Sequence, residues 1–185
     1  MIQYAEPDLQ EFLKARIRAI PDYPVDGIVF WDVTTLLGDR EGFTAAIDAL
    51  AAPYTDDNID LVAGIEARGF ILGGAVADRL GAGFVPLRKQ GKLPAETFAE
   101  EYELEYGRDA VEIHCDAVDG GCRVLLVDDL IATGGTAIAS LGLLRRTGAT
   151  VVGAAFIIDL PDLGGAARLA EQDCPVRALC AYPGA

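Results

Sequence analysis

Short, continuous apolar runs alternate along the chain with segments whose apolar positions recur every three or four residues. Over residues 8–18, Leu9, Phe12, Leu13 and Ile17 share one helical face, and Pro21 and Pro24 end the pattern. An arm, IPDYPVDGIVFWDVTTLL, follows. Residues 41–52 read as a helix, and IDLVAGI (59–65) as a strand buried on both faces. GFILGGAVADRLG is then predicted as a helix and GFVPLR as a strand. From Lys89 to about Val111 the character changes to polar and charged, with Gly91, Pro94 and Gly107. So long a segment between apolar elements predicts a functional flap or mobile loop. Beyond it CRVLLVDD, TAIASLGLLRRTG, ATVVGAAFIIDL, GGAARLAEQ and PVRALCAY alternate as strand, helix, strand, helix, strand. Strand and helix alternating through short connections predict an α/β fold with a doubly wound, mainly parallel sheet.

Composition narrows the function classes. The chain has 185 residues, 51% of them hydrophobic, enough for one full core, and the expectation is a single domain over 1–185. A formal net charge of -14 repels polyanions, so neither nucleic acid nor an anionic membrane surface is an expected partner. No run approaches the roughly 18 apolar residues of a spanning helix. The start is amphipathic and acidic rather than signal-like. Cys115, Cys122, Cys174 and Cys180 show no CxxC spacing, and His114 is the single histidine, which disfavours a thiolate–imidazole metal cage. These features together suggest a cytoplasmic protein with reduced thiols.

Any anion site must therefore be local, and VLLVDDLIATGGT (124–136) is the candidate. Asp128 and Asp129 emerge at the carboxyl end of a strand, where open parallel sheets bind ligands. Glycine-rich ATGGT then turns into a helix, where converging N–H groups, threonine hydroxyls and the helix N-terminus can cradle a phosphate. GxxxxGK[ST] and GxGxxG are both absent. Acids beside a phosphate cradle make sense for a sugar phosphate, whose hydroxyls donate to carboxylates some distance from the phosphate. The plainer reading of the acids alone is a solvated loop or a helix cap.

Other stretches carry chemistry with open alternatives. Arg68 follows a buried strand at the start of a helix, fit either for diphosphate oxygens or for an ion pair with Glu66 or another acid. Arg88, Lys89 and Lys92 cluster in an acidic chain, as a solvated face or as an anion-binding edge.

The 124–136 stretch resembles the phosphoribosyl-pyrophosphate motif of the type I phosphoribosyltransferase family. IPDYPVDGIVFWDVTTLL, GIEARGFILG, RKQGKLP and YELEYG extend the similarity, in order, to the adenine-specific members of that family over nearly the whole chain. The resemblance implies an N-terminal helix and base-binding arm over 1–35, and a flexible flap over 89–110 with Gly91 and Gly107 as candidate hinges. It implies conversion of adenine and 5-phosphoribosyl 1-diphosphate into AMP and diphosphate, a purine salvage reaction. Ala132, Thr133, Gly134, Gly135 and Thr136 would hold the 5-phosphate, and Asp128 and Asp129 the ribose hydroxyls. Ala67, Arg68, Arg88, Lys89 and Lys92 would serve the diphosphate, Arg88 and Lys92 partly across a homodimer interface. Val29, Phe30, the Arg68 backbone and Leu160 would form the adenine slot. Glu105 would be the catalytic glutamate, although spacing alone does not separate it from Glu100, Glu101 and Glu103, and Tyr106 beside it would support the flap. Mg2+ is the implied cofactor, bound mainly through substrate with no protein ligand singled out. Trp31 stands where the family usually has arginine, which changes the expected site entrance. The rivals are a guanine, hypoxanthine or xanthine transferase with another base wall, and a regulator sensing the same sugar diphosphate. The acidic surface and the flap glutamate favour the enzyme.

Overall fold

A computed structural model of the chain describes residues 1–104 and 107–183. In chain order the elements are β1 (Ile2–Tyr4), α1 (Pro7–Lys14), β2 (Arg18–Pro21), β3 (Val29–Asp32), α2 (Thr34–Gly38), α3 (Arg40–Ala51), β4 (Leu61–Ile65), α4 (Arg68–Leu80), β5 (Gly83–Lys89), β6 (Thr97–Leu104), β7 (Gly107–His114), β8 (Arg123–Ile131), α5 (Gly135–Arg146), β9 (Thr150–Asp159), α6 (Gly165–Ala170) and β10 (Val176–Ala181).

Among the described residues eight strands form one sheet in the order β1-β10-β9-β8-β4-β5-β7-β6, and β2 with β3 forms a separate two-stranded sheet. The pairs from β1 to β5 are parallel, whereas β7 joins β5 and β6 antiparallel. The expected doubly wound α/β architecture is therefore the observed one. Its apolar runs are continuous because both faces are covered. Along β8, Leu125 and Val127 point to the core under α1, α3 and α4, with Leu13, Leu50 and Leu72. Val124 and Leu126 point to the opposite core under α5 and α6, with Leu141, Leu144 and Leu169. From β4 the chain crosses through α4 to β5 on one side, and from β8 through α5 to β9 on the other. The β4–β8 pair is thus the switch point where a crevice opens beyond the strand ends.

Two expectations change. The helix predicted over residues 8–18 ends at Lys14, because Arg18–Pro21 is drawn into β2, where Ile20 pairs with Phe30 and Arg18 with Asp32. The long polar segment is largely a hairpin rather than a loop: β6 and β7 pair from Thr97–His114 to Leu104–Gly107, and Arg88 and Lys89 join it to β5. Val111 and Ile113 are buried, and Phe98 and Tyr102 pack against the same core.

Candidate functional site

A cleft of about 520 Å3 opens at the switch point, lined by the chain after β4, the end of β5, the hairpin and the whole β8–α5 turn. Two glycines shape its floor. Gly69, in the first turn of α4, lets that helix approach β8 so closely that a Cβ would lie 2.8 Å from Asp128 Oδ1 and 2.9 Å from the Val127 carbonyl oxygen. Gly134 caps α5 in the left-handed region (φ 83°), a conformation that costs glycine little. The open N-terminal turn of α5 then follows at Gly135 and Thr136, both on the cleft wall.

The acid pair is less negative than its sequence suggests. Asp129 is buried and its Oδ2 accepts from Arg68 Nε in a tight ion pair. Burial, then the adjacent charge of Asp129, pushes the Asp128 carboxyl well above the usual carboxylate range. The Asp129 N–H, donating to Asp128 Oδ1 at 2.9 Å, and Arg68 act in the other direction. A carboxyl held toward its neutral form can donate as well as accept hydrogen bonds, which suits polyol recognition beside a phosphate.

The basic residues are anchored by acids. Arg88 Nε lies 3.2 Å from Glu66 Oε2, which also accepts the Lys89 N–H at 3.1 Å. Burial opposes ionisation of Glu66, but Arg88 and the Lys89 N–H outweigh it and hold its carboxyl below the usual range. Lys89 Nζ pairs with Asp109 Oδ2 at 3.2 Å. Arg88 Nη1 donates to the Lys92 carbonyl at 3.0 Å, and Gly91 donates its N–H to the buried Glu112 at 3.0 Å, so this turn is tethered.

The structure brings Ala67, Arg68, Arg88, Lys89, Asp128, Asp129 and the run from Ala132 to Thr136 into one cleft. Lys92, Val29, Phe30 and Leu160 stand outside its lining. Phe30 nevertheless adjoins it: its ring lies 5.9 Å from the Arg68 guanidinium carbon and meets Tyr23 edge-on. Leu160 is buried, its N–H donating to the Ile131 carbonyl at 3.0 Å. Trp31 faces the other way along β3 and stacks on Tyr182 with centroids 3.8 Å apart, fastening the arm to the end of β10. Glu105 and Tyr106 lie outside the described residues. No group of three or more His, Cys, Asp or Glu side chains is placed to hold a metal among the described residues, and Asp129 is already engaged by Arg68. A divalent ion such as magnesium would draw its oxygen ligands largely from a bound phosphate compound and water.

Residues 34–180 match the family model of the phosphoribosyl transferase domain. The chain belongs to that family. An adenine phosphoribosyltransferase of Maricaulis maris is 64% identical over 172 residues, covering 93% of this chain and 98% of the relative. The crystal structure of an adenine phosphoribosyltransferase from Rhodothermus marinus superposes with a TM-score of 0.90 at 50% identity, covering 96% of this chain and all of that one. The Saccharomyces cerevisiae adenine phosphoribosyltransferase, solved with an imino-altritol bisphosphate and adenine, has a TM-score of 0.85 at 37% identity, covering 92% of this chain and 98% of that one.

Within this phosphoribosyl transferase cleft stand residues that sequence reading passed over. Tyr102 and Asp109 line it from the hairpin. Gly165 lies against the glycine turn, donating its N–H to the Ala132 carbonyl at 3.0 Å, and Arg168 donates to the Thr133 carbonyl. Phe98 and Tyr102 share a strand face, but Glu100 stands between them on that face, so the hairpin left no clear alternation in the sequence. The approach of Gly165 to the turn is tertiary and left no local pattern.

Proposed function

We propose that the chain transfers the phosphoribosyl group of 5-phosphoribosyl 1-diphosphate to adenine, giving AMP and diphosphate in purine salvage. The observation that carries this is the convergence of the acid pair, the glycine turn and Arg68 at one switch point, in a chain 64% identical to a protein named for that activity. In the reaction the bond from ribose C1 to the diphosphate oxygen breaks and one from C1 to purine N9 forms. Positive charge develops on the sugar as the diphosphate leaves, so donors must be preorganised at the leaving group and acids near the ring.

In this reading the turn from Ala132 to Thr136 binds the 5-phosphate, while Asp128 and Asp129 bind the ribose hydroxyls. Ala67, Arg68, Arg88, Lys89 and Lys92 take the diphosphate. Val29, Phe30, the Arg68 backbone and Leu160 receive adenine, an assignment supported by the nearness of Phe30 to Arg68. Mg2+, bound mainly through substrate, supplies charge neutralisation at the diphosphate. Glu105 accepts the proton that leaves the purine. A Glu105→Gln variant is expected to keep its affinity for AMP and lose most of its kcat.

The chain is further proposed to act as a homodimer in the cytoplasm. Ile71 and Phe84 are exposed apolar residues, and Phe84 meets Phe70 edge-on beneath the Arg88 guanidinium, so this surface is continuous with the diphosphate end of the cleft. Ile71→Glu should shift sedimentation from dimer to monomer.

The test of the activity is incubation with Mg2+, adenine and 5-phosphoribosyl 1-diphosphate, following AMP and diphosphate together. Equimolar formation of both, abolished by excess chelator, is expected. Diphosphate release without AMP would overturn the reading.

A further inference from the structure

The cleft holds a polar chain whose middle members, Tyr102 and Asp109, have no part in the reaction just described. Tyr102 and Asp109 face each other in register across β6 and β7, and the phenol donates to Asp109 Oδ2 at 3.2 Å. The same oxygen receives Lys89 Nζ at 3.2 Å, while Oδ1 accepts the Ala110 N–H at 2.9 Å. Tyr102 also lines the cleft together with Thr136, in the first turn of α5, and α5 packs along β6. Lys89, Asp109, Tyr102 and Thr136 all face the cleft. One carboxylate thus links β5, β6 and β7, and Tyr102 stands on the strand against which the helix after the glycine turn packs.

The two ends of this chain lie at different ends of the proposed substrate. Lys89 belongs with the diphosphate, Thr136 with the 5-phosphate. We propose that Tyr102, held by Asp109, is a positioning residue that fixes the separation of the diphosphate and 5-phosphate subsites. The inference rests on the phosphoribosyltransferase reading of the cleft. A ligand with both phosphate groups on one ribose binds as a bivalent ligand, whose second contact gains only if the two subsites stand at the right spacing. A ligand with one phosphate group gains nothing from that spacing. Tyr102 therefore discriminates between classes of ligand, which a residue that merely stabilises the hairpin does not.

The experiment is calorimetric titration of the full chain, with Mg2+ present and adenine absent, by 5-phosphoribosyl 1-diphosphate, by AMP and by inorganic diphosphate. Tyr102→Phe keeps the ring and removes the hydroxyl. It is expected to weaken the bivalent ligand about tenfold, as for one lost hydrogen bond near charge, and each of the other two by less than about twofold. Asp109→Ala should weaken the bivalent ligand similarly, Asp109→Asn should recover most of the loss by restoring an acceptor for Tyr102, and the Tyr102→Phe/Asp109→Ala pair should lose no more than the worse single variant. Urea midpoints of all variants report folding independently. Wild-type affinity for the bivalent ligand in Tyr102→Phe, or equal losses for all three ligands, would overturn the inference. Should the unaltered protein bind neither 5-phosphoribosyl 1-diphosphate nor AMP, it is the functional reading that fails instead.

Discussion

A methyl group at position 165 would lie 2.6 Å from the Gly134 nitrogen, 2.8 Å from the Thr133 carbonyl carbon and closer still to the Ala132 carbonyl oxygen. All three contacts are backbone, so none can swing aside, and the glycine turn itself must move. Gly165→Ala should cost about 1–3 kcal/mol in chemical denaturation, in the range of overpacked sites, and raise the KM for 5-phosphoribosyl 1-diphosphate more than that for adenine. Asp32 makes a prediction of another kind. Hydrogen bonds from the Thr34 hydroxyl and from Arg18 lower its carboxyl to about 2. Its folded-state value lies below its unfolded one, so its contribution is complete above about pH 4 and is lost as pH falls through about 2. Because Arg18 is 56% exposed at its side chain, solvent screens the pair, and roughly 1–2 kcal/mol is at stake. Denaturation of Asp32→Asn and the unaltered protein should differ by that amount at pH 6 and converge near pH 2; a constant difference would contradict the assignment. At this scale the sequence disclosed residues whose neighbours in space are neighbours in chain: Asp128, Asp129 and the turn that follows them. Tyr102, Asp109, Gly165 and Arg168 act on the same cleft from elements distant in sequence, and no local pattern marks them.

Elements with a single burial face or strong end signals were legible. Helix α4 runs as predicted to Gly81, whose φ of 67° is the usual left-handed stop. Helix α3 starts where Asp39 accepts the Gly42 N–H at 2.7 Å, so Asp39→Ala should lower the urea midpoint by removing the cap. The hairpin was not legible as such, because Glu100 interrupts the core-side face of β6 between Phe98 and Tyr102 and the apolar side chains of that strand are few. Tertiary packing settles it: α5 lies against both strands, and the Arg146 guanidinium sits 4.6 Å from the Phe98 ring centroid. The β2 strand was lost to the helical periodicity of Ile17 with Leu13. It forms because β3 offers Asp32 opposite Arg18 and Phe30 opposite Ile20.

In the whole molecule, the divergence of crossovers from β4 and β8 decides where the site must be. Alternating strands and helices predicted the parallel sheet, but strand order is a long-range property, and only the observed order places Arg68 against Asp129. The cleft sets two acids beside the glycine turn, with buried Asp129 paired to Arg68 and half-buried Asp128 pushed toward its neutral form. What distinguishes this enzyme within its family is the base, and the slot proposed for it draws on Val29 and Phe30 of the arm together with Arg68 at the start of α4 and Leu160 beyond β9. The most direct measurement is therefore a competition: the protein, Mg2+ and limiting 5-phosphoribosyl 1-diphosphate with adenine, hypoxanthine, guanine and xanthine at equal concentration, products separated by chromatography. The account predicts AMP as the dominant nucleotide; IMP, GMP or XMP in its place, or no nucleotide at all, would contradict it.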